Sequence, residues 1–188
     1  QDLRTMSGDD VLITATTATD GPLARFGHRL EFAVKTFAID VDVVSGHAKG
    51  AFQLDSLKCL GRLDGASPLN PSDELKILER THNMLDTAAN PMAFVTLHRK
   101  SSCSKQEFPV SGTLELKGVR QQLHGIVRSE LEALVLTTKI DLRQFSIQPF
   151  CAPLGALCVG PEVTVEVQLP LSLLASGKQG TIKIDASS

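Results

Sequence analysis

The sequence predicts a mainly β chain, a closed antiparallel barrel carrying one or two short helices. Three observations predict it: apolar residues recur at every second position in several segments, Gly and Pro mark the connections, and one segment alone has helical spacing. At 188 residues the chain suits a single domain over 1–188, with a core from about 12 to 171.

The clearest strand runs from Glu162 to Leu171. Val163, Val165, Val167, Leu169 and Leu171 alternate there with Glu162, Thr164, Glu166, Gln168 and Pro170. Side chains on a strand point alternately to opposite faces, so one face of this segment is buried. Leu134, Leu136, Thr138, Ile140 and Leu142 form a similar row, as do Val110, Gly112, Leu114 and Leu116. Lys117-Gly118 reads as a turn into a further strand, where Leu123, Gly125 and Val127 share a face. Val11 to Thr19 and Pro91 to Arg99 complete these strands.

Near the N-terminus Leu30, Phe32 and Val34 alternate with charged neighbours, but the row resumes one position out of phase as Phe37, Ile39, Val41 and Val43. A one-residue slip turns every later side chain to the other face unless a bulge or bend absorbs it, so one is expected near Thr36-Phe37. Helical spacing appears only after Asn70-Pro71-Ser72-Asp73, which offers an N-cap, a proline at the first helical position and an acid in the first turn. Leu75, Ile77, Leu78, Thr81, Met84 and Leu85 follow, and Asn90-Pro91 ends the helix.

Composition narrows the function. Nineteen basic and twenty-one acidic residues give a net charge of −2, which offers nucleic acid or an anionic membrane no attraction. Eight Phe with no Trp or Tyr suit an apolar interior better than base stacking or a membrane-interface belt. No stretch reaches membrane-spanning length. Gln1 to Asp10 hold no apolar signal core, but the chain does not begin with Met, so the compartment, cytoplasmic or periplasmic, stays open.

No catalytic machinery is legible, and neither a cofactor nor a metal is expected. The five histidines, His28, His47, His82, His98 and His124, show no ligand spacing, and no G-x-S-x-G, P-loop or G-x-G-x-x-G is present. Asp40 and Asp42, like Glu162 and Glu166, lie opposite apolar rows and read as solvated acids. Cys59, Cys103, Cys151 and Cys158 are expected as free thiols; a Cys151–Cys158 bridge requires the loop between them to fold back. Two apolar Gly/Pro-marked loops, Gly21 to Leu30 and Phe145 to Gly160, plug a core or cover a cavity.

Four segments, in order, resemble YceI-like domains. Gly21 to Phe37 is similar to that family's opening loop and strand, and Leu78 to Val95 to its helix followed by "L-x-x-x-x-x-P-x-x-x-F". Gly112 to Val119 (G-T-L-E-L-K-G-V) resembles its "G-x-L-T-L-x-G-V" hairpin. Phe145 to Leu169 resembles its ending, with Phe145, Ile147, Pro149, Leu154, Gly155, Leu157, Val159 and Val163 in register. Arg29, Ser146 and Pro161 depart from the pattern; they fall at loop ends and bear on ligand and lid geometry more than on fold.

The resemblance implies a lipocalin-like barrel that binds a polyisoprenoid or another long-chain amphiphile without chemistry, as a bacterial lipid carrier. The residues expected to line the lumen are Leu30, Phe32, Val34, Leu114, Leu116, Leu136, Ile140, Phe145, Leu154, Leu157, Val163, Val165 and Val167, with Arg25, His28 and Arg29 at the rim. The expected partner is an amphiphilic lipid, with no nucleic acid and no stable membrane insertion; a homodimer stays open. Two alternatives remain: an interaction or stress-response protein with a side-chain-filled barrel, and an enzyme acting on a lipid inside it.

Overall fold

The computed structural model describes residues 11–20, 29–63, 68–100, 106–151, 158–175 and 181–186, the last six and residue 175 by their backbone. Among the described residues eleven strands form one antiparallel sheet: β1 (Leu12–Asp20), β2 (Leu30–Val34), β3 (Phe37–Asp42), β4 (His47–Gln53), β5 (Leu57–Arg62), β6 (Met92–Arg99), β7 (Glu107–Leu116), β8 (Val119–Ser129), β9 (Ala133–Asp141), β10 (Cys158–Pro170) and β11 (Thr181–Ala186). Helix α1 (Pro71–Leu85) lies between β5 and β6, and the short α2 (Leu171–Ala175) follows β10.

The alternating rows fix the register. Val163, Val165 and Val167 pair with Ile140, Thr138 and Leu136, so both rows face the same side. Lys117 and Gly118 both have positive φ, 52° and 72°, and Leu116 pairs with Val119 around them. That is the primed two-residue turn whose twist matches the flanking strands.

The phase slip takes the form of a break at Lys35–Thr36. Beside it the partner strand breaks too, in a 3-10 turn at Leu54–Ser56. The slip thereby places Phe32 and Ala33 on one side of the bend and Phe37 and Ile39 on the other, all buried. Helix α1 starts as the sequence predicts: the Asn70 side chain accepts from the Asp73 amide at 2.9 Å, and Pro71 opens the helix. Asp86, in the left-handed conformation, ends it.

The sheet is a curled half-barrel, and the expected closed barrel is not formed by its hydrogen-bonded order. That order runs β11-β3-β4-β6-β7-β8-β9-β10-β1-β2-β5, leaving β11 and β5 as edges. The paired breaks are the physical reason. They split one long hairpin into β3–β4, which joins β11 and β6, and β2–β5, which joins β1. α1 packs beside β5.

Two apolar clusters hold the sheet in its curl. One includes Leu54, Leu85, Leu97, Leu114, Leu116, Leu123, Leu142, Phe145 and Ile147. The other gathers Val11, Ile13, Phe37, Ile39 and Val167 around Leu173 of α2, which is almost wholly buried.

Candidate ligand cavity

Between strands and helix lies a cavity of about 290 Å³. Inward rows of β1, β2, β7, β9 and β10 supply its walls, the 3-10 turn adds Leu54, and α1 lies across it with Ile77, Arg80, Thr81, Met84 and Leu85. Among the described residues its polar lining is Thr14, Thr17, Arg80, Thr81 and Thr138; the rest are apolar, and none is Asp, Glu or His. Three of the threonines are satisfied by backbone: Thr138 Oγ1 donates to the His124 carbonyl at 2.7 Å, Thr81 Oγ1 to the Ile77 carbonyl at 2.8 Å, and Thr17 Oγ1 accepts from the Leu30 amide at 2.9 Å.

Of the residues expected to line the lumen, Leu30, Phe32, Val34, Leu114, Leu116, Leu136, Ile140, Val163, Val165 and Val167 all border this cavity. Phe145 does not. It lies in a 3-10 turn, Leu142–Phe145, and is buried in the first cluster, because the Asp141 cap turns the chain out of the strand there. Leu154, Leu157, Arg25 and His28 lie outside the described residues. Arg29 is exposed at the start of β2 and does not border the cavity.

The sequence missed Arg80, the single charged lining residue among those described. Its guanidinium carbon sits 4.4 Å from the centre of the Phe150 ring, and Phe150 also borders the cavity. A second, polar hollow shares Arg80, Met84 and Phe150 with the cavity and adds Asn83, Lys117, Ser146 and Gln148. Helical spacing placed Arg80 on α1, but only the packing of α1 against the 146–150 segment brings it to this junction.

Cys151 and Cys158 form a disulfide, which corrects the expectation of free thiols. The chain does fold back: Val159 donates to the Phe150 carbonyl at 2.9 Å, and the two cysteines face each other as an isolated bridge. Phe150 and Val159, next to the two sulfurs, both line the cavity, so the disulfide ties two of its walls together. Cys59 is a free, half-buried thiol; burial pushes its pKa up and disfavours the nucleophilic thiolate.

The described histidines that come together do so away from the cavity. Strand register puts His47 opposite His98, ring centres 6.2 Å apart, and His98 opposite Ser111. Ser111 Oγ and His98 Nε2 are 3.0 Å apart. Ser111 shares its face of β7 with Thr113 and Glu115, opposite the row of Leu114 and Leu116 that borders the cavity. Among the described residues no three His, Cys, Asp or Glu converge as metal ligands, and no helix is long and apolar enough to cross a membrane.

An antiparallel sheet curled about an apolar cavity, with a helix across it, defines the class of fold. Solved structures place it further. BcnA of Burkholderia cenocepacia superposes with a TM-score of 0.60 at 14% identity, over 85% of this chain and 95% of that one. A mutant CJ YceI protein with a monobromobimane guest superposes with a TM-score of 0.52 at 13% identity, over 74% of this chain and 83% of that one. The chain has a YceI-like fold. No family model and no curated protein sequence matches it.

Proposed function

We propose that this chain binds or carries an amphiphile without chemistry, holding a polyisoprenoid or fatty-acid-like tail in the cavity. One observation carries this: among the described residues the cavity wall is apolar on nearly every side and presents no acid or histidine. Such a surface offers a tail hydrophobic burial and offers a reacting group no acid or base. The side-chain-filled alternative fits poorly with an open space of about 290 Å³. An enzyme acting on the lipid calls for a carboxylate or imidazole facing that space.

At roughly 30 Å³ per water-sized group, the enclosed part accepts a tail on the order of ten heavy atoms. A longer chain leaves its remainder outside. A lipocalin-like closed barrel belongs to this proposal. β2 and β3 are separated by two residues, and β4 and β5 by the 3-10 turn, so each pair acts as one bent strand spanning from β1 to β6. That continuity supports closure around the bound tail.

Titration with 1-decanol tests the proposal. Wild-type protein is expected to bind it, and Val165→Phe, which fills the cavity, to weaken binding while keeping the fold. Ile140→Asp, which puts a charge in the wall, is expected to abolish binding. Equal decanol affinity in a folded Val165→Phe protein sinks the proposal.

A further inference from the structure

We infer that the amphiphile carries an anionic head group, held in the polar hollow between α1 and the 146–150 segment by Arg80 and Lys117. This rests on the proposed tail site and names the chemistry of its open end. Arg80 borders both spaces, and its stacking partner Phe150 does as well, so the pair marks the boundary between apolar wall and polar hollow. A guanidinium lying over a ring keeps its N–H edge free for a bidentate acceptor such as a carboxylate or phosphate. Lys117 lines the same hollow, its Nζ donating to the Met84 carbonyl at 3.3 Å, with further N–H donors to offer.

Position, not stacking alone, sets these two cations apart. Lys76, Arg120, Arg128, Lys139 and Arg143 each pair with a carboxylate, and Arg99 lies over the Phe108 ring as Arg80 lies over Phe150, but none of these lines the cavity or the hollow. Arg80 and Lys117 contact a ring and a backbone carbonyl, and among the described residues no acid lines either the cavity or the hollow. Two cations thus flank the end of an apolar tail site with no neutralising side chain among the described residues. An amphiphile with an acidic head supplies that charge.

The experiment compares 1-decanol, decanoate and decyl phosphate by isothermal titration calorimetry, on wild-type protein and on an Arg80→Gln/Lys117→Asn variant. Arg80 is exposed and Lys117 half-buried, and Asn tolerates the left-handed backbone at 117. Wild-type protein is expected to bind at least one of the two anions about tenfold more tightly than decanol, with the gain shrinking in high salt. The larger gain distinguishes a carboxylate from a phosphate head. In the variant each anion is compared with decanol on the same protein, so any change in tail binding cancels, and the preference for the anion is expected to vanish. Equal affinity for decanol and both anions in wild-type protein, or a preference surviving in the variant, overturns the head-group site and leaves the tail site standing. No binding of any of the three overturns both.

Discussion

Ser56 Oγ accepts a hydrogen bond from the Thr36 backbone amide at 2.9 Å and a second from Lys35 at 3.2 Å. Ser56 Oγ also donates to the Gln53 carbonyl at 2.7 Å, and the Gln53 amide donates to Thr36 O at 3.0 Å. Two breaks in neighbouring strands therefore satisfy each other's backbone groups, which is how the sheet bends between β2 and β3 without leaving buried polar atoms orphaned. Ser56→Ala removes the acceptor from two amides, one exposed and one part-buried, and is expected to cost about 0.5–1.5 kcal/mol, read from urea denaturation. A change within a few tenths of a kcal/mol means that water replaces the hydroxyl and the bend does not depend on it.

Gly112 sits where β6 and β7 approach too closely for any side chain: a Cβ there runs into the Thr96 carbonyl oxygen. Gly112→Ala is expected to destabilise the protein by about 1–3 kcal/mol or more, since backbone rather than a flexible side chain must move. Thermal melts of the variant and wild type check it; an unchanged midpoint contradicts the close approach.

The disulfide predicts two thiols, not four, in denatured and unreduced protein, since Cys151 and Cys158 are paired. Closing a loop of this length stabilises by about 2.5 kcal/mol on the chain-entropy account. A Cys151→Ser/Cys158→Ser variant is expected to fold with roughly that loss and to bind tails more weakly, because Phe150 and Val159 lose their tie. Four titrating thiols restore the free-cysteine expectation.

Asp141 caps the turn that removes Phe145 from the cavity wall, accepting from the Arg143 amide at 3.0 Å. Its hydrogen bond with the Arg143 side chain holds its carboxyl below the usual carboxylate range. A depressed folded pKa contributes stability above the unfolded value, near pH 4, that is lost as pH falls through the folded one. Carbon-detected NMR titration is expected to find Asp141 below free aspartate, and Arg143→Gln to raise it. An Asp141 titrating as free aspartate contradicts the cap.

Much of the sheet was legible in the sequence because one-sided burial enforces period two. The rows at Leu114, Leu136 and Val163 border the cavity, and the slip after Val34 marks the bend. β4 and β5 were not legible. His47–Gln53 contains Ala48, Gly50 and Ala51, too small to make a pattern, and Leu60 of β5 is 48% exposed, blurring the alternation. Their strand character comes from pairing with β3, β6 and β2. The disulfide, the edges of the ladder and the place of Arg80 depend on contacts distant in sequence, which no local spacing encodes.

The central claim, that the cavity takes an apolar tail, is tested most directly by calorimetry across n-alkanols of increasing length. Each added methylene is expected to lower Kd about fourfold, from roughly 0.8 kcal/mol of burial, until the enclosed space is full near ten carbons. Beyond that length the gain should level off, with little salt dependence and a negative heat-capacity change throughout. Negligible affinity that stays flat from six to fourteen carbons contradicts the account.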